Sequence, residues 1–155
     1  MRSLNSTEYA EVWDTFESAF KFHPSVNGPF PAISEPACSV TFRLNADYTE
    51  EQLDELGAAI RLAFAESGSP SDEIYYLDWQ HDSFIGTISS MPAWMNGYPD
   101  GDYASLLRKD LQSGTFGHPW EGSICFFGDA FVNEILRLRP AMLDKPIRNR
   151  GSYKS

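Results

Sequence analysis

Between Ile74 and Phe127 the chain offers one strand-forming segment after another, and that succession restricts the fold more than any other feature. "EIYYLDWQHDSFIGTI" is rich in aromatic and β-branched residues from Ile74 to Ile88, and it reads as one long bent strand or as two strands joined near Asp82. "YASLLRKDL" and "SICFF" read as further strands. The stretch "SSMPAWMNGYPDGD" is a turn-rich connection, and the glycine-rich start of "GTFGHPWEGSICFFG" reads as a constrained loop. Consecutive strands with short joints pair antiparallel, because parallel pairing needs a long crossover.

The rest of the chain supplies helices and one more strand. Asn5 with Glu8 forms a capping box for a helix from Ser6 to Phe20, whose Tyr9, Val12, Trp13, Phe16 and Phe20 make one apolar stripe. Residues 23–37, "HPSVNGPFPAISEPA", contain four prolines and form a loop whose Phe30 and Ile33 plug the core from outside. "CSVTFRL" alternates Val40, Phe42 and Leu44 with polar residues and is a strand with one wet face. Thr49 and Gln52 cap a second helix carrying Leu53, Leu56, Ile60 and Phe64, and a last helix starts at Gly128–Asp129 with Phe131, Ile135 and Leu138 on one face. The expected fold is α+β: a mainly antiparallel sheet of about four to five strands, helices mostly on one face, two layers, one domain.

Charge divides the chain. Residues 1–136 hold 6 basic and 21 acidic residues, and residues 137–155 hold 6 basic and 1 acidic. The domain is therefore drawn over 1–140, with a basic C-terminal tail over 141–155 that is either a free end or folds back on the acidic body. An acidic body repels phosphate backbones, so no nucleic-acid partner is expected; it suits a basic protein partner. No window approaches the ~18 apolar residues of a membrane span, and the first residues lack the apolar core of a signal peptide. Cys38 and Cys125 lie in apolar runs, as buried free thiols do. A cytoplasmic location is the expectation.

Three segments concentrate residues with chemistry. In "DWQH" strand alternation places Tyr75, Leu77, Trp79 and His81 on one face. In "YPDGDY" the Asp-Gly turn leads to Asp102 and Tyr103. In "GTFGHPWEG" Pro119 restricts His118 to extended backbone, Trp120 can cover it, and Glu121 follows. Pairing His81 and His118 with Asp78, Asp102 or Glu121 would make a two-histidine metal site, but no helical His spacing or calcium-loop pattern is present. No metal and no cofactor is expected. A serine nucleophile elbow is absent too.

In order, "LDWQH", "PDGDY", "GTFGHPWE" and "ICFFG" resemble the bacterial domain-of-unknown-function family 2716, over roughly residues 9–137 and most densely from Leu77 to Gly128. The resemblance implies a single small bacterial domain with its special residues in these segments, and carries over no catalytic assignment. "DSFIGTISS" after His81 is shorter and more polar than the resemblance leads one to expect.

Two classes of function follow. One is a non-catalytic binding module, for a basic protein in the manner of an immunity protein or for a small ligand, with Trp79, Gln80, Tyr103 and Trp120 as contact residues. The other is a small-molecule enzyme using His81 or His118 with Asp102 or Glu121 in general acid–base catalysis. Both expect Trp79, His81, Asp102, His118 and Glu121 to be neighbours.

Overall fold

The computed structural model describes residues 1–150. Eight strands and three helices follow in the order β1 (Arg2–Ser3), α1 (Ser6–Phe20), β2 (Ser39–Arg43), α2 (Glu50–Glu66), β3 (Glu73–Asp78), β4 (Phe84–Thr87), β5 (Ala104–Arg108), β6 (Gly114–His118), β7 (Ser123–Phe127), α3 (Asp129–Leu138) and β8 (Lys145–Arg150). The strands form one sheet in the order β1-β4-β3-β5-β6-β7-β2-β8. Every neighbouring pair is antiparallel.

Both capping boxes form. Asn5 accepts from the Glu8 N–H while Glu8 accepts from the Asn5 N–H, and Thr49 and Gln52 do the same for α2. Each box satisfies two of the donors that a helix start leaves open.

Eight strands replace the four to five expected. Residues 73–87 form two strands, β6 is a further one, and β1, of two residues, and β8, of six, add the two edges. The "GTFGH" stretch is a central strand rather than a loop. Its glycines answer close approaches: a Cβ at Gly114 would run into the Leu106 carbonyl, and a Cβ at Gly117 would lie 2.8 Å from Pro99 Cβ.

The sheet is covered on both faces, not mostly on one. Val40, Phe42, Ile74, Leu106, Ile124 and Phe126 pack with α2 and α3 through Leu56, Ile60, Phe64, Phe131 and Ile135. The alternate residues Leu77, Leu107, Phe116, Cys125 and Phe127 pack with Trp13, Phe16 and Phe20 of α1. Three layers result where two were expected. The physical reason is β7, in which all five residues are buried, so neither face of the sheet centre can meet water. Phe22 and, from the proline-rich loop, Ala32 and Ile33 join the α1-side core, while Phe30 stays partly exposed with its ring 4.7 Å from that of His118.

Beyond residue 140 the basic segment folds back: residues 145–150 pair with β2 as β8. Arg148 on β8 reaches Glu35 and Glu121. Residues 151–155 lie outside the described residues.

Candidate functional site

The segments singled out in the sequence meet near one end of the central strands but divide into three groups. β3 ends at Asp78, paired with Ala104 of β5. The Trp79 N–H then bonds the Tyr103 carbonyl at 3.1 Å, and Gln80 turns the chain with a φ of 65°, uncommon for a residue with a side chain. The His81 N–H closes the turn on the Asp78 carbonyl at 3.1 Å.

That turn ends the strand alternation. Tyr75, Leu77 and Trp79 keep to the α1 side as expected. His81 instead folds back, its Nδ1 3.3 Å from Asp78 Oδ1 and 3.4 Å from Asp102 Oδ2. The Asp78, His81 and Asp102 ligand atoms all lie within 4.8 Å of one another. Burial raises the Asp78 pKa, with the neighbouring His81 opposing the shift.

His118 belongs to a different group on the α1 side. Its ring centroid is 4.9 Å from Tyr103, 6.2 Å from Phe116 and 6.4 Å from Trp120. Tyr103 also contacts Trp79 at 5.5 Å and Trp120 at 5.0 Å. The Tyr103 hydroxyl donates to the Ser25 carbonyl and accepts from the Ser25 N–H. His118 is 0% exposed, and its Nδ1 accepts from the Glu121 N–H at 3.1 Å, which leaves the proton of the neutral ring on Nε2. Among the described residues Nε2 has no hydrogen-bond partner. Burial holds the His118 pKa below the ordinary value. The bond to the Glu121 N–H ties the ring to the turn that follows it.

The Glu121 carboxylate forms the third group. It accepts from Arg148 Nη1 and Nη2 at 2.9 and 2.6 Å and from Ser123 Oγ at 2.6 Å. The side chains of the five expected neighbours fall into three groups, His81 with Asp102, Trp79 with His118 through Tyr103, and Glu121 with Arg148, while the Glu121 N–H still bonds His118. Gln80 is exposed on its turn, and Trp120 is 38% exposed at the rim of the aromatic group.

The Asp78–His81–Asp102 group borders a cleft of about 610 Å³. Its walls are the first turns of α2 with Tyr48, the ends of β3 and β5, and the connection from Ala93 to Asp102. Glu50, Asp54, Asp78, Asp100 and Asp102 supply five carboxylates, and Tyr48, Tyr76, Trp94 and Tyr98 supply four aromatic rings. Among the described residues none of the lining side chains is basic. Trp94 is 57% exposed, edge-on to Tyr76 at 5.5 Å, and Tyr48 lies 4.6 Å from Tyr98. Burial, and then the charges of Asp78 and Asp100, raise the Tyr76 pKa, so this phenol stays protonated.

The sequence reading treated this connection as a turn-rich joint and missed most of the cleft. A signal is present. Trp94, Asn96, Tyr98, Asp100, Asp102 and Ala104 all line the cleft, while Met95, Gly97, Pro99 and Tyr103 are buried between them. The alternation of lining and buried residues holds from Trp94 to Asp100 and breaks at the exposed Gly101, and Gly97 and Gly101 both take positive φ.

A family model described as "Protein of unknown function (DUF2716)" matches residues 3–132. The chain belongs to the DUF2716 family. The match contains the three segments on which the resemblance rested and all the residues lining the cleft, and it ends within α3, before β8. "Uncharacterized protein YxiI" of Bacillus subtilis (strain 168) is 25% identical over 147 residues, covering 86% of this DUF2716 chain and 91% of the relative. No solved structure shows a significant match.

Proposed function

We propose that this protein is a binding module that takes a positively charged group, an arginine or lysine side chain of a basic protein partner, into the cleft beside Trp94. The observation that carries this reading is the lining: five carboxylates and four aromatic rings, without a basic residue among the described ones. Aromatic faces attract cations, and the attraction grows when water is excluded. Carboxylates on all three walls focus the field of the acidic body and steer a basic partner. An exposed tryptophan at the rim is the kind of anchor that dominates protein interfaces.

Calorimetric titration with N-acetylarginine amide, a hexa-arginine peptide and a hexaglutamate control tests the reading. The arginine probes bind saturably, the peptide more tightly than the single residue, with affinity falling as salt rises. Trp94→Ala weakens binding about tenfold, the scale of a partly desolvated cation–π contact, and Asp54→Asn weakens it by removing one carboxylate from the cleft. Equal affinity of the two arginine probes would favour a small amine over a protein. No saturable heat, or full retention of binding in Trp94→Ala, overturns the reading.

His81 supports a second reading. Its Nδ1 faces Asp78 and Asp102 beside the cleft, the arrangement of a carboxylate-oriented general base. His118 does not share this role, because its ring is enclosed and the Glu121 carboxylate is engaged by Arg148.

A further inference from the structure

We propose that Asp78, His81 and Asp102 form a site for a divalent transition metal, with Zn²⁺ the best fit, at the edge of the cleft. It shares Asp78 and Asp102 with the cation-binding reading but uses His81 and none of the aromatic residues.

His81 Nδ1 hydrogen-bonds Asp78 at 3.3 Å, a long bond, and its spacing to both carboxylates also suits ligands around an ion. His81 Nδ1 is 3.3 Å from Asp78 Oδ1 and 3.4 Å from Asp102 Oδ2. One nitrogen carries at most one proton and can donate it to one carboxylate. Both separations exceed the roughly 2.7–2.9 Å of a charge-assisted N–H···O bond. Tetrahedral Zn²⁺ with bonds of about 2.0–2.1 Å sets neighbouring ligand atoms about 3.3 Å apart. The two nitrogen–oxygen edges already have that length. The three ligand atoms lie within 4.8 Å of one another, so closing the carboxylate edge takes a small rotation of two aspartate side chains.

The backbone prearranges the set. Asp78 is held by the β3–β5 pairing, Asp102 stands two residues before Ala104 on the partner strand, and His81 is folded onto Asp78 by the left-handed turn at Gln80. Among the described residues neither carboxylate forms an ion pair with a lysine or arginine. Three protein ligands leave a fourth position for water or for a group in the cleft. An imidazole nitrogen in the set favours Zn²⁺ and its neighbours over Mg²⁺ and Ca²⁺, which prefer all-oxygen shells.

The test titrates the metal-free full chain with Zn²⁺ against a chromophoric chelator, and records the visible spectrum with Co²⁺. The wild type binds one equivalent, and Co²⁺ gives the intense bands of a tetrahedral site. His81→Ala and Asp102→Asn each weaken Zn²⁺ binding at least tenfold while circular dichroism shows an unchanged fold; His23→Ala, remote from the cluster, binds as the wild type. Trp94→Ala keeps its zinc and loses affinity for the arginine probes, so the two proposals fail separately. Absence of a stoichiometric site, or wild-type zinc affinity in the His81 or Asp102 variant, overturns the assignment and marks the metal as an adventitious ion only.

Discussion

Arg148, on the last strand, holds the Glu121 carboxylate with two hydrogen bonds of 2.9 and 2.6 Å, and its Nε donates to Glu35 at 2.8 Å. The Glu35 side chain is 1% exposed and accepts from Thr41 Oγ1 at 2.6 Å as well. Arg148 thus bridges two carboxylates, Glu35 in the loop before β2 and Glu121 in the turn before β7, and Arg150 Nε at 3.5 Å gives Glu35 a second cation. Burial opposes the charge on Arg148, yet the bonds to Glu121 and Glu35 hold its pKa above the ordinary value.

Removing that guanidinium takes from the nearly buried Glu121 its ion-pair partner and leaves the buried Glu35 with only Arg150 Nε, 3.5 Å away. Arg148→Ala therefore destabilises the fold by about 3 kcal/mol, near the lower end for a broken buried pair because the arginine is partly exposed. Urea unfolding followed by tryptophan fluorescence measures it, and a cost under about 1 kcal/mol contradicts the clamp. The same clamp has a pH signature. Burial pushes the Glu121 pKa up, but bonds from Arg148 and Ser123 outweigh it and leave the net value lowered. A folded pKa below the unfolded one gives stability that is complete above the unfolded value of about 4.3 and is lost as pH falls through the folded value. Acid unfolding of Arg148→Ala should accordingly begin at higher pH than that of the wild type.

His118 predicts an opposite kind of group with the same sign. Burial lowers its folded pKa below the unfolded value near 6.5. Between the two values the unfolded chain binds more protons, so stability is complete above about pH 6.5 and falls as pH drops towards the folded pKa. His118→Phe, which keeps an aromatic ring among Phe30, Tyr103 and Trp120, should flatten the decline in that window. Histidine proton resonances followed by NMR check the cause directly: a His118 signal titrating at an ordinary value would remove the argument.

The sequence disclosed what local chemistry decides. Both capping boxes act within four residues, and they appear where Asn5–Glu8 and Thr49–Gln52 announced them. Strand β6 stayed hidden because its glycines respond to distant partners, the Leu106 carbonyl and Pro99, and not to a turn. Strand β8 stayed hidden because "KPIRNR" carries a proline and three cationic side chains; it pairs where Arg148 meets Glu35 and Glu121, contacts spanning 113 and 27 residues of chain. The candidate site was half legible. His81 and Asp102 were named, but the left-handed Gln80 reversed the face on which His81 was expected. The second cover of the sheet was legible in principle, since "SICFF" is apolar on both parities.

Gly117 offers a handle on the cleft from behind. A Cβ there would stand 2.8 Å from Pro99 Cβ and 3.1 Å from Cγ and Cδ, so the proline ring must retreat. Pro99 sits between Tyr98 and Asp100, two lining residues of the cleft. Gly117→Ala should cost about 1–3 kcal/mol, as overpacking does. It should also displace the backbone around Tyr98 and Asp100. Amide and indole NMR shifts concentrated between residues 94 and 104 are the expected pattern, and shifts confined to β6 would disprove the coupling.

The two thiols should separate by reactivity. Burial pushes the Cys125 thiol up to about 12, and its side chain sits in the α1-side core with Phe116 and Phe127. Cys38 is partly exposed just before β2. A thiol must ionise and be reached before it reacts. In the native protein a disulfide reagent should therefore modify Cys38 and spare Cys125, and both should react in denaturant. Peptide mapping after a short labelling pulse identifies the site. Labelling of Cys125 at the rate of Cys38 would mean that the α1 side of the sheet opens readily, which the continuous aromatic contacts from Trp13 to Phe127 argue against.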